Sequence, residues 1–141
     1  MTWRAGRAVC GGWYTDSLMH PRLTPLHQID ELDLLLSQSG SRPLLLFKHS
    51  YSCGISNEAL DEILGHLESG GAGSKAPDAA VYAMVTVQTH REVSNAVATR
   101  LGIRHETPQA LLVRDGQVVW AASHFRVTAA AVAAALKAAA Q

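Results

Sequence analysis

The sequence predicts an α/β domain: a central mixed sheet of about four strands with helices on both faces. Three observations carry this. Two short, continuous apolar runs, residues 44–47 and 79–87, have the length and composition of strands buried on both faces. Segments with helical apolar spacing stand before, between and after them. Asp115-Gly116 joins two further short apolar runs, which is a strong hairpin signal.

Residues 1–24 read as an irregular N-terminal extension, because Trp3, Trp13, Tyr14, Pro21 and several glycines follow no period. The domain is expected over residues 25–141. Leu26, Ile29, Leu32, Leu35 and Leu36 recur at helical spacing, with Asp30, Glu31 and Asp33 between them. Thr24-Pro25 supplies a start signal, a capping hydroxyl followed by proline, and Ser39-Gly40-Ser41 a stop. Residues 44–47 form the first strand.

A second helix is expected from about residue 53 to 68, with Ile55, Ala59, Leu60, Ile63, Leu64 and Leu67 on one face. Residues 69–77 read as a loop and 79–87 as the second strand. A third helix over 91–101 stops at Gly102. Strands over 110–113 and 118–121 flank the Asp115-Gly116 turn. Thr128 then caps a final helix whose packed face carries Val132 and Leu136. The first three strands are expected to run parallel through right-handed crossovers, and the last two antiparallel.

Composition narrows the function classes. Apolar residues make up 48% of the 141 and charged residues 17%, as in a globular domain. Lysine and arginine number 12, as do aspartate and glutamate, so no positive field recruits nucleic acid. No apolar run reaches the roughly 20 residues needed to span a bilayer. Cys10, Gly11, Gly12 and Asp16 interrupt the apolar stretch that a secretory signal requires. Two cysteines, Cys10 and Cys53, are too few for a disulfide framework. A reducing, cytoplasmic setting with free thiols is the expectation.

Cys53 is the candidate nucleophile. It falls where a buried strand passes into a helix, at the carboxyl end of that strand, which is where α/β sheets place their sites. Unpaired amides and the helix dipole favour a negative sulfur there. Cysteines so placed have pKa values of roughly 3.5–7.5 rather than about 8.5. Lys48 and His49 lie just upstream and are expected to add positive potential. Ser56 stands three residues on, where a dithiol oxidoreductase carries its second cysteine. A serine there cannot resolve a mixed disulfide; it can only donate a hydrogen bond to the sulfur. The chemistry left open is a monothiol cycle, in which Cys53 attacks a mixed disulfide, takes the small thiol, and is released by another thiol.

Thr107-Pro108 precedes the third strand and is expected at the edge where the Cys53 helix begins. A cis bond there would set the Thr107 backbone beside Cys53. Ser123 and His124 follow the returning strand of the hairpin and are expected near the same end. Histidines 20, 27, 66, 90 and 105 show no metal-ligand spacing, and no metal site is expected. Cys10 could resolve the Cys53 mixed disulfide if the N-terminal segment folded over the site.

Phe47-Lys48-His49-Ser50, Cys53-x-Ile55-Ser56, Thr107-Pro108-Gln109, Asp115-Gly116 and Ser123-His124, in that order, closely resemble the YtxJ-like family, the monothiol bacilliredoxins. The resemblance covers about residues 26–140. It implies a three-layer thioredoxin-like fold, a cis proline at Pro108 and a nucleophile at Cys53. It also implies removal of bacillithiol from S-bacillithiolated proteins. S-thiolated proteins and a small thiol would then be the partners and bacillithiol the co-substrate, with no tightly bound cofactor. Ser50, Ser52 and Gly54, within the motif, join Lys48, His49, Ser56, Thr107, Pro108, Ser123 and His124 as candidates for tuning the thiolate or binding substrate. Two positions depart from the family pattern: Gly54 stands where proline is usual, and Phe125 where tryptophan or tyrosine is usual. Cys-Gly-Ile-Ser is also similar to the Cys-Gly-Phe-Ser of monothiol glutaredoxins, which makes an iron–sulfur cluster carrier one alternative. A non-catalytic interaction module of the same fold is another. Oligomeric state is left open.

Overall fold

The computed structural model of the chain describes residues 20–69 and 80–139. Its elements in order are β1 (Leu23–Pro25), α1 (Ile29–Ser37), β2 (Leu44–His49), α2 (Gly54–Glu68), β3 (Val81–Thr86), α3 (Arg91–Leu101), β4 (Gln109–Arg114), β5 (Gln117–Ser123) and α4 (Ala129–Ala139). A single 3₁₀ turn, His124–Arg126, links β5 to α4. Residues 1–19 of the expected 1–24 extension, Cys10 among them, and most of the expected 69–77 loop lie outside the described residues, while Leu23 and Thr24 of that extension belong to β1.

The five strands form one sheet in the order β1-β3-β2-β4-β5. All six residues of β2 are buried, as its continuous apolar sequence requires of a central strand covered on both faces. Side chains alternate across the sheet. Leu45 and Phe47 pack with Ala59, Leu60 and Ile63 of α2 and Val132 and Leu136 of α4. Leu44 and Leu46 pack on the other side with Leu32 of α1 and Val93, Ala96 and Val97 of α3. Arg100 on α3 pairs with Asp33 on α1 across that second layer. The architecture is therefore the expected α/β mixed sheet with helices on both faces.

Two expectations are corrected. Thr24-Pro25 does not start a helix; it lies in β1, which pairs parallel with β3 through Thr24↔Ala83 and Pro25↔Met84. Proline is tolerated on such an edge because no ladder bond needs its missing N–H. The helix begins at Ile29 instead, where Glu31 Oε1 accepts from the His27 and Gln28 amides at 2.7 and 3.0 Å. The second correction concerns β4. It runs antiparallel to β2, with Lys48 opposite Gln109 and Leu44 opposite Val113. Only β1, β2 and β3 are mutually parallel.

The remaining boundaries follow local chemistry. α3 ends at Gly102, whose φ of 64° is the left-handed conformation that glycine adopts without a Cβ penalty. Asp115 and Gly116 have φ of 55° and 75°, the paired positive values of a tight hairpin turn. The Thr128 hydroxyl accepts from the Ala131 amide at 3.1 Å, capping α4 as expected. No helix among the described residues is long and apolar enough to cross a membrane.

Candidate active site

Cys53 is the N-cap of α2, in extended conformation, with a free and half-buried thiol. Its amide donates to the Ser50 carbonyl at 3.2 Å, and its carbonyl accepts from Asn57 as the first bond of the helix. The sulfur thus stands where the first-turn amides have no intrahelical acceptor. Gly54 occupies the first helical position. A Cβ added there would meet nothing within 4 Å. The proline usual at this position would likewise suit the first turn, whose amides make no intrahelical bond.

Ser56 is fully buried, and its hydroxyl is committed elsewhere. It lies 2.8 Å from His49 Nδ1 and accepts from the Ser50 amide at 2.9 Å. The expectation that this hydroxyl serves the Cys53 sulfur is therefore corrected. Ser56 instead ties the end of β2 to the first turn of α2. His49 is buried too, and its ring stacks on Phe47 with centroids 5.8 Å apart.

The expectation that Lys48 adds positive potential at the helix start is also corrected. Lys48 alternates with Phe47 and His49, so it projects to the α1/α3 side of the sheet, away from α2. It is fully buried there, with Nζ 2.7 Å from Nδ1 of His105 in the α3–β4 segment. Burial pushes the amine down to about 8 from 10.5. His105 is held below its ordinary range, first by desolvation and then by the charges of Lys48 and Arg91. Beside Lys48 on the neighbouring strand, Gln109 Nε2 donates to the Arg104 carbonyl at 3.0 Å. Among the described residues its buried Oε1 has no partner.

Sequence reasoning missed Gln88, in the turn after β3. Its Nε2 donates to Ser50 Oγ at 2.6 Å and Ser52 Oγ at 3.0 Å, and its Oε1 accepts from the Tyr51 amide at 3.3 Å. One amide side chain thus holds all three residues leading into Cys53. Nothing in the local sequence around Gln88 signals this, since its partners lie 36 to 38 positions away.

The other wall stands at the same end of the sheet because β4 is antiparallel: its first residue, Gln109, sits opposite Lys48 near the end of β2. The Thr107-Pro108 peptide is cis, as expected. The Pro108 carbonyl accepts from the His124 amide at 3.0 Å. Ser123 pairs with Gln109 across the hairpin, and His124 starts the 3₁₀ turn at φ 56°. The Ser123 hydroxyl, chiefly, holds the Glu106 carboxyl below its ordinary range, helped by the charges of His124, Arg104 and His105. Tyr51 and Phe125, half and two-thirds exposed, offer apolar surface at this end. Of the residues singled out from sequence, Cys53, His49, Ser50, Ser52, Gly54 and Ser56 are gathered at the β2–α2 junction. Thr107, Pro108, Ser123 and His124 are gathered on the β4–β5 side of the same edge, and Lys48 lies behind the sheet.

A family model described as monothiol bacilliredoxin BrxC matches residues 24–132. Among solved structures, the chain is similar to a candidate oxidoreductase with a thioredoxin fold, at 26% identity and a TM-score of 0.67, covering 81% of this chain and 93% of that one. It is also similar to Fasciola hepatica thioredoxin (14% identity, TM-score 0.62, 82% and 98% covered). Mitochondrial thioredoxin 3 of Saccharomyces cerevisiae gives 16% identity and a TM-score of 0.59, with 82% and 94% covered. The last two speak for the fold alone, which is the thioredoxin fold.

Proposed function

The chain belongs to the monothiol bacilliredoxin family, and from that premise we propose that Cys53 removes a low-molecular-weight thiol, bacillithiol first of all, from protein mixed disulfides. A thiol redox role is common ground for the family and for the oxidoreductase neighbour of the same fold. The proposal is narrower and concerns the co-substrate and the direction of transfer.

In the transfer step, the Cys53 thiolate attacks the small-thiol sulfur of a protein mixed disulfide. A Cys53–small thiol disulfide forms as the protein–small thiol disulfide breaks. The protein sulfur leaves as a thiolate and takes up a proton, so the protein cysteine is reduced and Cys53 oxidised. A second thiol, supplied from solution, then attacks the small-thiol sulfur and returns Cys53 to its reduced form. The Thr107 backbone and His124 are the proposed contacts for the protein and the small thiol. The setting proposed is a reducing cytoplasm, where such mixed disulfides arise under oxidative stress.

One observation carries this reading: Cys53 caps α2 as a free thiol, while the resolving position holds Ser56, buried and bonded to His49 and Ser50. Intact-mass analysis tests it. Incubation with a bacillithiolated protein should add one bacillithiol to Cys53 and restore the free thiol of the substrate. Full de-thiolation by Cys53→Ser would sink the proposal, and faster uptake from a glutathionylated protein would reassign the small thiol.

A further inference from the structure

Lys48 and Gln109 are cross-strand partners on β2 and β4, and both are buried. A lysine at zero exposure directly after Leu-Leu-Leu-Phe in the central strand is costly, because desolvating an ammonium needs compensation. A leucine would fill such a layer without that cost. What the two polar side chains do instead is reach the same short segment. Lys48 Nζ meets His105 Nδ1 at 2.7 Å, and Gln109 Nε2 meets the Arg104 carbonyl at 3.0 Å. That segment leads directly into Thr107-Pro108. It has no strand or helix of its own between Gly102 and Gln109, and its backbone bonds lie at its ends, from the Ile103 amide to the Ala98 carbonyl and from the His124 amide to the Pro108 carbonyl, which leaves side chains to hold Arg104 and His105 between them.

We propose that Lys48 and Gln109 are positioning residues that clamp residues 104–107 from behind the sheet. The clamp holds the Thr107 backbone as the strip along which the protein half of a mixed disulfide lies against Cys53. This inference rests on the proposed function in taking Thr107 as a substrate contact. The clamp itself is a separate claim about the segment. The ammonium donates to His105 Nδ1 and the Gln109 amide to a carbonyl, so two independent hydrogen bonds fix consecutive residues. Neither residue touches the α2 side of the sheet, so the clamp acts on substrate placement and not on the sulfur.

The test uses single-turnover transfer to Cys53 from a cysteine peptide carried as its mixed disulfide with bacillithiol, followed across peptide concentration. Lys48→Met and His105→Phe should raise the half-saturating concentration about 5–10-fold, with the limiting rate held within about twofold. His105→Asn, whose Oδ1 can take the place of Nδ1 as acceptor, should return both values to within about twofold of the parent. An unchanged half-saturating concentration in both disrupting variants overturns the inference. So does a loss confined to the limiting rate, or an Asn variant as damaged as the Phe variant. If the parent protein takes no thiol from the peptide, the functional reading fails, and the clamp is judged by amide exchange at residues 104–107. Exchange about tenfold faster in Lys48→Met supports the clamp, and unchanged exchange overturns it.

Discussion

The Ser56 hydroxyl lies 2.8 Å from His49 Nδ1 and receives the Ser50 amide at 2.9 Å, inside the joint between β2 and α2. The position that carries a second thiol in dithiol oxidoreductases is thus a structural bond here. Ser56→Ala removes that bond and leaves a buried amide without an acceptor. Such a loss costs about 1–3 kcal/mol. Urea unfolding should move to a lower midpoint by that amount, with thiol transfer to Cys53 still ending in the same mixed disulfide. A neutral effect on stability would mean that Ser56 is not a bond of the joint.

Lys48 gives stability a pH dependence of definite sign. Its folded pKa is about 8 against 10.5 for a free side chain. Between those values the unfolded chain binds more protons than the folded one, so stability rises with pH across that window. Below about 8 the full penalty is present. At about 1.4 kcal/mol for each tenfold change in proton affinity, the fall from 10.5 to about 8 amounts to about 3 kcal/mol. Lys48→Met should therefore be more stable than the parent at pH 7 by that amount, with the gap closing towards pH 10.5. Thermal or urea unfolding at pH 7 and pH 10 measures both, and a destabilised Met variant at pH 7 refutes the expectation.

His105 adds an acid limb. Burial, then Lys48, holds it below its ordinary range. As pH falls below about 6.5 the unfolded chain takes up the proton first, and stability drops. His105 is largely exposed, so the effect is small. His105→Asn should flatten the profile between pH 7 and pH 5, and an unchanged slope counts against the pairing with Lys48.

Gln88 holds Ser50, Tyr51 and Ser52 with one side chain. Gln88→Ala should speed amide exchange at Tyr51 about 5–10-fold and cost about 1 kcal/mol in stability. Gln88→Glu keeps an acceptor for the Tyr51 amide and accepts from the two hydroxyls, so it should exchange like the parent. Equal exchange in the parent and the Ala variant would show that the loop is held by other means.

The glycines divide by conformation. Gly102 has φ 64°, so Gly102→Ala should cost about 1 kcal/mol. Gly54 has open space around its Cβ position, and Gly54→Ala should be neutral or stabilising by up to about 1 kcal/mol. Paired urea curves settle it. Equal effects at the two positions would contradict the assigned backbone.

Local pattern in the sequence determined most of the elements. Helical spacing placed α2, α3 and α4, and the apolar runs placed β2 and β3. Asp115-Gly116 placed the β4–β5 hairpin, and the strand-to-helix passage singled out Cys53. Each of these signals lies within a few residues of the feature it predicts. The tertiary structure decided what depends on partners far along the chain. Strand direction is not written in a strand's own residues, so the antiparallel pairing of β4 with β2 became visible only in the register Lys48↔Gln109. Alternation says that Lys48 and His49 face opposite ways but not which layer each enters, so packing against α3 or α2 settled their roles. The bonds Lys48–His105 and Ser50–Gln88 join positions 57 and 38 residues apart. No local period carries such pairs, because they exist only once the sheet has brought its carboxyl edge together.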